Sequence, residues 1–255
     1  MNFLDYDNEF LELFKHTLKV ALENHVRSTK KLHTLHGGFA HHILKYSDNK
    51  NIRISALGDV TNDDRFANKE ELIDGAIYGK HVDLVIRLDT DPTSPSEVHL
   101  YALGFKMIMS NFKQNVNNYF ESMLGETANI RSNKNAYCQV ILFPKQLPYF
   151  YSGIERRVKN FEKIDHSVFA KYRKLMKAPD SHCHRPNAML ICCFENEKND
   201  EIIAAKTFDD YKRLSLEYID LYSFSKDKSC KDDSELLFIN RPSCFMSYLL
   251  KQLRD

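Results

Sequence analysis

No apolar run in the 255-residue sequence approaches the roughly 18 to 20 residues that a membrane-spanning helix needs. Its opening, MNFLDYDNEF, lacks the basic-then-apolar layout of a secretory signal, so the expectation is a soluble, cytoplasmic protein with no membrane partner. A charge excess of either sign is missing too. Thirty-six Lys and Arg face thirty-five Asp and Glu, a net +1, which excludes a histone-like tail or an acidic buffer but permits a local basic groove. There are only eight glycines, and no Gly-x-Ser-x-Gly, Walker-type loop or dinucleotide fingerprint, so kinases, NTPases and Rossmann dehydrogenases drop out. The six cysteines (138, 183, 192, 193, 230 and 244) show no paired spacing, which suits reduced thiols, and no disulfide is expected. Repeats and low-complexity segments are also missing. What is there is 43% hydrophobic and 28% charged residues, enough for one globular domain with a real core.

Along the chain, Phe10, Leu11, Leu13, Phe14, Leu18, Ala21 and Val26 recur at helical spacing and predict an amphipathic helix over Asn8–Arg27. Residues 32–49 are His-rich around Gly37-Gly38, and 51–57 alternates Ile52, Ile54 and Ala56 as a short strand. A polar loop with a helical turn at 69–73 is expected next. Two strands then follow, Ala76–Asp89 and Glu97–Met109, joined by the turn residues TDPTSPS and folded antiparallel. A helix is predicted over Asn115–Leu124, stopped by Gly125, and the apolar run Tyr137–Phe143 reads as a buried parallel strand reached through it. Beyond Pro144 the reading is a basic helix over 153–177, a strand over 188–194 and helices over 208–220 and 243–253. The class is therefore α/β: a central mixed sheet flanked by helices, with an α-β-β-β-α-β core over residues 1–145. Residues 146–255 form an extension of the same domain with a possible DNA-recognition role.

Hydrolysis of a phosphodiester with a divalent metal needs carboxylates to hold the ion and a nearby amine to orient the attacking water. Asp83 on the first strong strand and Lys106 on the next are placed to converge at one end of the sheet. At these residues the sequence resembles the PD-(D/E)xK nuclease superfamily, which has the same core order, an Asp on the second strand and Glu-x-Lys on the third. The segment from Ser110 through Asn111, Lys113 and Gln114 to Asn117, Asn118 and Tyr119 is similar to the Gln and Tyr pattern of recombination-type members. In length the chain resembles a bacterial type II restriction endonuclease. The resemblance implies Mg²⁺ as cofactor, with Asp83 bridging metal and scissile phosphate and Lys106 positioning water. It also implies double-stranded DNA cut at a specific sequence, and a homodimer matching a palindrome.

One residue departs from that pattern. Gly104 stands two positions before Lys106, where the family carries the acid, and the expectation is an inactivating loss of that acid at Gly104. Alternatively the carboxylate has moved to Glu97 or Glu121. The resemblance also implies another acid from the opening helix, for which Glu23 (as metal ligand) and Glu12 are candidates, with Glu71 in the loop before Asp83 a third. Candidate DNA contacts are Asn111, Lys113, Gln114, Asn117 and Asn118, and from the basic stretch Arg156, Arg157, Lys171 and Arg173. Each has a plainer reading. Asp83 and Lys106 also suit a cross-strand surface pair, the Asn/Gln cluster a helix start, and the basic stretch a solvated face. His33, His36, His41 and His42 allow an alternative acid–base centre or ordinary helix residues. His182, Cys183 and His184 with Cys192 and Cys193 match no zinc framework. A nuclease-fold DNA-binding or regulatory protein without catalysis is the alternative function.

Overall fold

In the computed structural model, which describes residues 3–24, 30–58, 60, 63–89, 98–151, 156–164, 166–226 and 236–254, the amphipathic opening segment is helix α1 (Phe3–Asn24). The His-rich segment is α2 (Lys30–Tyr46), which runs through Gly37-Gly38. Then come β1 (Ile52–Ala56), β2 (Phe66–Asn68), the hairpin β3 (Glu71–Asp74) and β4 (Gly79–Val82), β5 (Leu84–Asp89), β6 (Val98–Met107), α3 (Phe112–Arg131) and β7 (Ala136–Pro144). Beyond them lie the hairpin β8 (Gln146–Phe150) and β9 (Val158–Lys163), α4 (Ala170–Met176) and β10 (Ala188–Asn196). The chain closes with α5 (Asn199–Ile202), α6 (Phe208–Glu217), β11 (Tyr222–Phe224), β12 (Leu237–Ile239) and α7 (Pro242–Gln252).

The main sheet is mixed, ordered β11-β10-β7-β6-β5-β1-β2, with β12 also pairing β10. β5 is antiparallel to β1 and β6, while β6, β7 and β10 are mutually parallel. The crossover from β6 to β7 through α3 is thus the predicted β-α-β unit. The segment past residue 145 completes this same sheet through β10, β11 and β12.

Alternation along the strands sorts side chains into two layers. Leu84, Ile86, Leu88, Leu103, Phe105, Met107, Cys138, Val140 and Leu142 face a core shared with α1, α2, α6 and α7, in which Phe14 stacks on Phe194 with ring centroids 3.5 Å apart. The opposite face packs Ile141, Phe143, Met189 and Ile191 against Phe112 and Met123 of α3 and Tyr172 and Leu175 of α4. A smaller cluster joins Val85, Ala102 and Tyr137 to Ile130 of α3 and to Ile73 and Val82 of the β3–β4 hairpin. Cys192 and Cys193 point to opposite layers, and the five described cysteines are free thiols, with Cys230 outside the described residues.

Three local expectations are corrected. Residues 69–73 are strand rather than helical turn, because Glu71–Asp74 pairs with Gly79–Val82 and Glu71 ion-pairs with Arg87. Gly125 does not stop α3: it sits mid-helix on the solvent side, where glycine costs about 1 kcal/mol relative to alanine, and burial of Thr127 and Ile130 one turn on outweighs it. The basic helix over 153–177 divides instead into strand β9, paired antiparallel with β8, and the short helix α4. Among the described residues no helix is long and apolar enough to cross a membrane.

Candidate active site

Strand parity builds the site. Ala102, Gly104 and Lys106 on β6, and Tyr137, Gln139 and Ile141 on β7, alternate with residues of the α1–α2 core and therefore face α3. Asp83 falls in the bend between β4 and β5, out of phase with Leu84 and in phase with Val85, so it projects to the same side. Asp83, Gly104, Lys106, Tyr137, Gln139 and Ile141 wall a cavity of about 390 Å³, roofed by Tyr119, Met123 and Glu126 of α3, with Lys80 of β4 and Lys31 of α2 at its margins. Asp83 and Lys106, placed together from the sequence, do line one cavity, although Asp83 sits in a bend rather than within a strand.

Three observations define its electrostatics. The Asp83 carboxylate accepts the Phe105 amide N–H at 2.7 Å. Burial nonetheless pushes its pKa up; the charge of Glu126 adds to this, while the Phe105 hydrogen bond and the amines of Lys106 and Lys80 oppose it. Glu126 is ion-paired to Lys80 at 2.8 Å and accepts from the Tyr137 hydroxyl at 3.2 Å. Burial works against the Lys80 charge, but Glu126 holds its pKa above the usual lysine range. Burial alone pushes the pKa of Lys31 down. Two carboxylates and three amines thus share one recess, with Lys106 exposed at its mouth.

Gly104 has a physical reason of its own. It is in register with Gln139, whose amide donates to the Gly104 carbonyl at 3.0 Å and whose Oε1 lies 3.0 Å from the Tyr137 hydroxyl. A Cβ at position 104 would fall on that hydroxyl, with the Tyr137 Cζ at 3.0 Å and the Gln139 Oε1 at 3.1 Å. Tyr137 is fully buried, so the ring has no room to yield. A carboxylate at 104 requires Tyr137 to leave. Gly104 is a position of close approach, and the Tyr137 hydroxyl that fills the space beside it donates to an acid on the helix.

That acid, Glu126, was not singled out from the sequence, although a signal exists. Phe112, Val116, Tyr119, Met123 and Ile130 form the buried stripe of α3 at three- and four-residue steps, and Glu126 occupies the missing step. A carboxylate on an apolar stripe needs partners. Gln139, a polar residue inside the apolar run of β7, carried a similar signal.

Of the other candidate acids, those within the described residues lie away from the cavity. Glu121 is exposed on α3, and Glu97 lies outside the described residues. Glu23 and Glu12 are exposed on α1, on the opposite side of the sheet from Asp83, which removes Glu23 as a ligand of this site. Glu71 is committed to Arg87.

The candidate DNA contacts separate into groups. Lys113, Gln114, Asn117 and Asn118 are exposed on the first turns of α3. Lys171 reaches them, donating to the Val116 carbonyl at 2.9 Å and to Asn117 Oδ1 at 3.3 Å, and Arg173 is half-buried on α4 beside Tyr172 of the cavity wall. Asn111 is instead structural. In the left-handed conformation (φ 51°) that asparagine tolerates, it accepts the Phe150 amide at 3.1 Å and donates its own N–H to the Pro148 carbonyl at 3.1 Å, tying α3 to β8. Arg156 and Arg157 lie against α6 instead, Arg156 over the Phe208 ring and Arg157 bridged to Thr207. Of the α2 histidines, His36 and His42 are buried between α1, α2 and the sheet, where burial pushes their pKa values down to about 3 and about 4.

The donor set suits a hard divalent cation. Carboxylate oxygens of Asp83 and Glu126 and the amide oxygen of Gln139 match the oxygen preference of Mg²⁺, which retains several waters and takes one or two carboxylates from a protein. No family model, curated protein or solved structure matches the chain.

Proposed function

We propose that the chain is a Mg²⁺-dependent endonuclease of the PD-(D/E)xK type acting on double-stranded DNA, with its second acid on α3 rather than on β6. The observation that carries this reading is the shared cavity of Asp83, Glu126 and Lys106, on the one sheet face that α3 covers. Asp83 and Glu126 would hold the ion, which when bound supplies Lewis-acid polarisation of the phosphate and a more acidic water. Lys106, exposed at the mouth, orients the attacking water and shields charge developing on the phosphate. Lys31 and Lys80 add positive charge around the phosphate. The exposed side chains Lys113, Gln114, Asn117 and Asn118, next to the cavity along α3, contact the DNA backbone. Cleavage at a short specific sequence by a cytoplasmic homodimer belongs to the same proposal and rests on the family resemblance.

A non-catalytic nuclease-fold DNA-binding protein is the second reading. It is favoured by the Glu126 carboxylate, which is already engaged by Lys80 and Tyr137. Supercoiled plasmid incubated with Mg²⁺ or Mn²⁺ separates the two. Nicking or linearisation by the protein but not by Asp83→Asn supports the nuclease. Intact plasmid with both ions, together with DNA binding at low salt, supports the second.

A further inference from the structure

The β3–β4 hairpin ends in a four-residue turn, Gly75-Ala76-Ile77-Tyr78, that presents apolar side chains to solvent: Ile77 is 86% exposed, Tyr78 51%, and Leu72 on the adjoining strand 54%. Exposure of this kind is ordinary on a mobile loop, but this turn is clamped. Asn129 of α3 accepts the Ile77 and Tyr78 amides on its Oδ1 (2.9 and 3.3 Å), donates from Nδ2 to the Tyr78 carbonyl (2.9 Å), and accepts the Ala76 amide on its main-chain oxygen (2.8 Å). Asn133 and Asn135 donate to the Asp74 carbonyl at the base of the turn (2.7 and 3.2 Å). Gly75 is what lets the turn seat, since a Cβ there would fall on the Asn129 side chain. The ordering entropy of the tip is therefore already met in the free protein, as a preorganised contact requires.

We propose that Ile77 and Tyr78 form a wedge that inserts against a base step of bound DNA, beside the candidate active site. This rests on the nuclease or DNA-binding reading above. The tip and the cavity share their supports: Lys80 on β4 and Asp83 in the bend after it follow Tyr78 along the chain, and α3 carries both Glu126 and, three residues on, Asn129. At about 3.3 Å per strand residue, the five steps from Tyr78 to Asp83 span at most about 16 Å, or up to roughly five base steps at 3.4 Å each. Three side chains expose at most a few hundred Å², roughly, well short of the ~800 Å² per partner of a stable protein interface but enough to cover a base step. Little charge flanks the tip, since Asp74 is acidic and Lys80 is paired to Glu126, so the tip acts by apolar contact with bases rather than by neutralising phosphates.

The test uses the whole chain without divalent metal and a mixed-sequence duplex carrying 2-aminopurine at successive positions, read by fluorescence intensity for unstacking and by anisotropy for binding. The unsubstituted protein is expected to raise 2-aminopurine emission severalfold. The double variant Ile77→Ser/Tyr78→Ser is expected to bind on the order of tenfold more weakly, to lose the emission rise, and to keep the same salt dependence. The conservative variant Ile77→Leu/Tyr78→Phe restores the signal. Binding by the unsubstituted protein with no emission rise overturns the wedge and leaves the DNA reading standing. A self-associating protein that the double variant turns into a monomer, with emission unchanged, also overturns it, because the tip is then an interface between copies. Absence of DNA binding by the unsubstituted protein at low salt overturns the DNA reading and the wedge with it.

Discussion

Replacing Gly104 with alanine tests the packing on which the site depends. The added methyl falls on the Tyr137 hydroxyl, and the buried ring cannot move away without losing its contacts to Glu126 and Gln139. Overpacking a tight site costs about 1–3 kcal/mol, and a lost hydrogen bond about 1 kcal/mol more. Against these, alanine in a strand interior gains about 0.5–1 kcal/mol over glycine. The net expectation is destabilisation by about 2 kcal/mol, read from urea unfolding at neutral pH. Tyr137→Phe removes the hydroxyl that the methyl strikes and alone costs about 1 kcal/mol. The double variant Gly104→Ala/Tyr137→Phe is then less destabilised than the sum of the two by about 1–2 kcal/mol, a coupling that only direct contact produces. A neutral or stabilised Gly104→Ala, or strictly additive variants, would refute the close approach and restore position 104 as room for an acid. On the same reasoning Gly104→Glu gains no Mg²⁺-dependent cleavage; a large gain would contradict it.

Three further outcomes follow from the same structure. His36 and His42 are buried, and their folded pKa values of about 3 and about 4 lie below the unfolded value near 6.5. The unfolded chain therefore takes up protons first on acidification. Stability is complete above pH 6.5 and falls as pH drops, by about 2 kcal/mol per histidine at pH 5, and His36→Leu flattens that slope in urea titrations. Asn129→Ala leaves three turn groups without their side-chain partner and is expected to cost about 1–3 kcal/mol; faster amide exchange and cleavage by proteases confined to residues 75–79 would show the clamp released. Phe194→Ala, which removes the ring stacked on Phe14, is expected to lose about 3–5 kcal/mol in urea unfolding, and a loss under 1 kcal/mol would show that α1 does not rest on that contact.

The layered α/β plan was legible because its strongest signals are periodic. The helix-spaced residues of α1, the antiparallel strands around residues 84–107 and the apolar run of β7 report their burial directly. Elements fixed by partners distant in sequence were less legible. Glu71–Asp74 is strand only because Gly79–Val82 pairs with it, and α3 outlasts Gly125 only because Ile130 is buried under the sheet. The site divides along the same line. Asp83 and Lys106 were readable from strand order, and the Gly104 anomaly from its type. That Tyr137 fills the space beside Gly104, and that Glu126 looks in from the helix, are facts of three-dimensional packing. Asn111 shows the reverse case, a polar residue next to a helix start whose groups are used to hold β8.

Whether Asp83 and Glu126 together form the acid pair of a metal-dependent centre is decided by plasmid cleavage rates in Mg²⁺ and Mn²⁺ for the unsubstituted protein, Glu126→Gln and Glu121→Gln. The expected result is cleavage that Glu126→Gln reduces by at least about a hundredfold while Glu121→Gln leaves it unchanged. Equal cleavage by Glu126→Gln and the unsubstituted protein would contradict it.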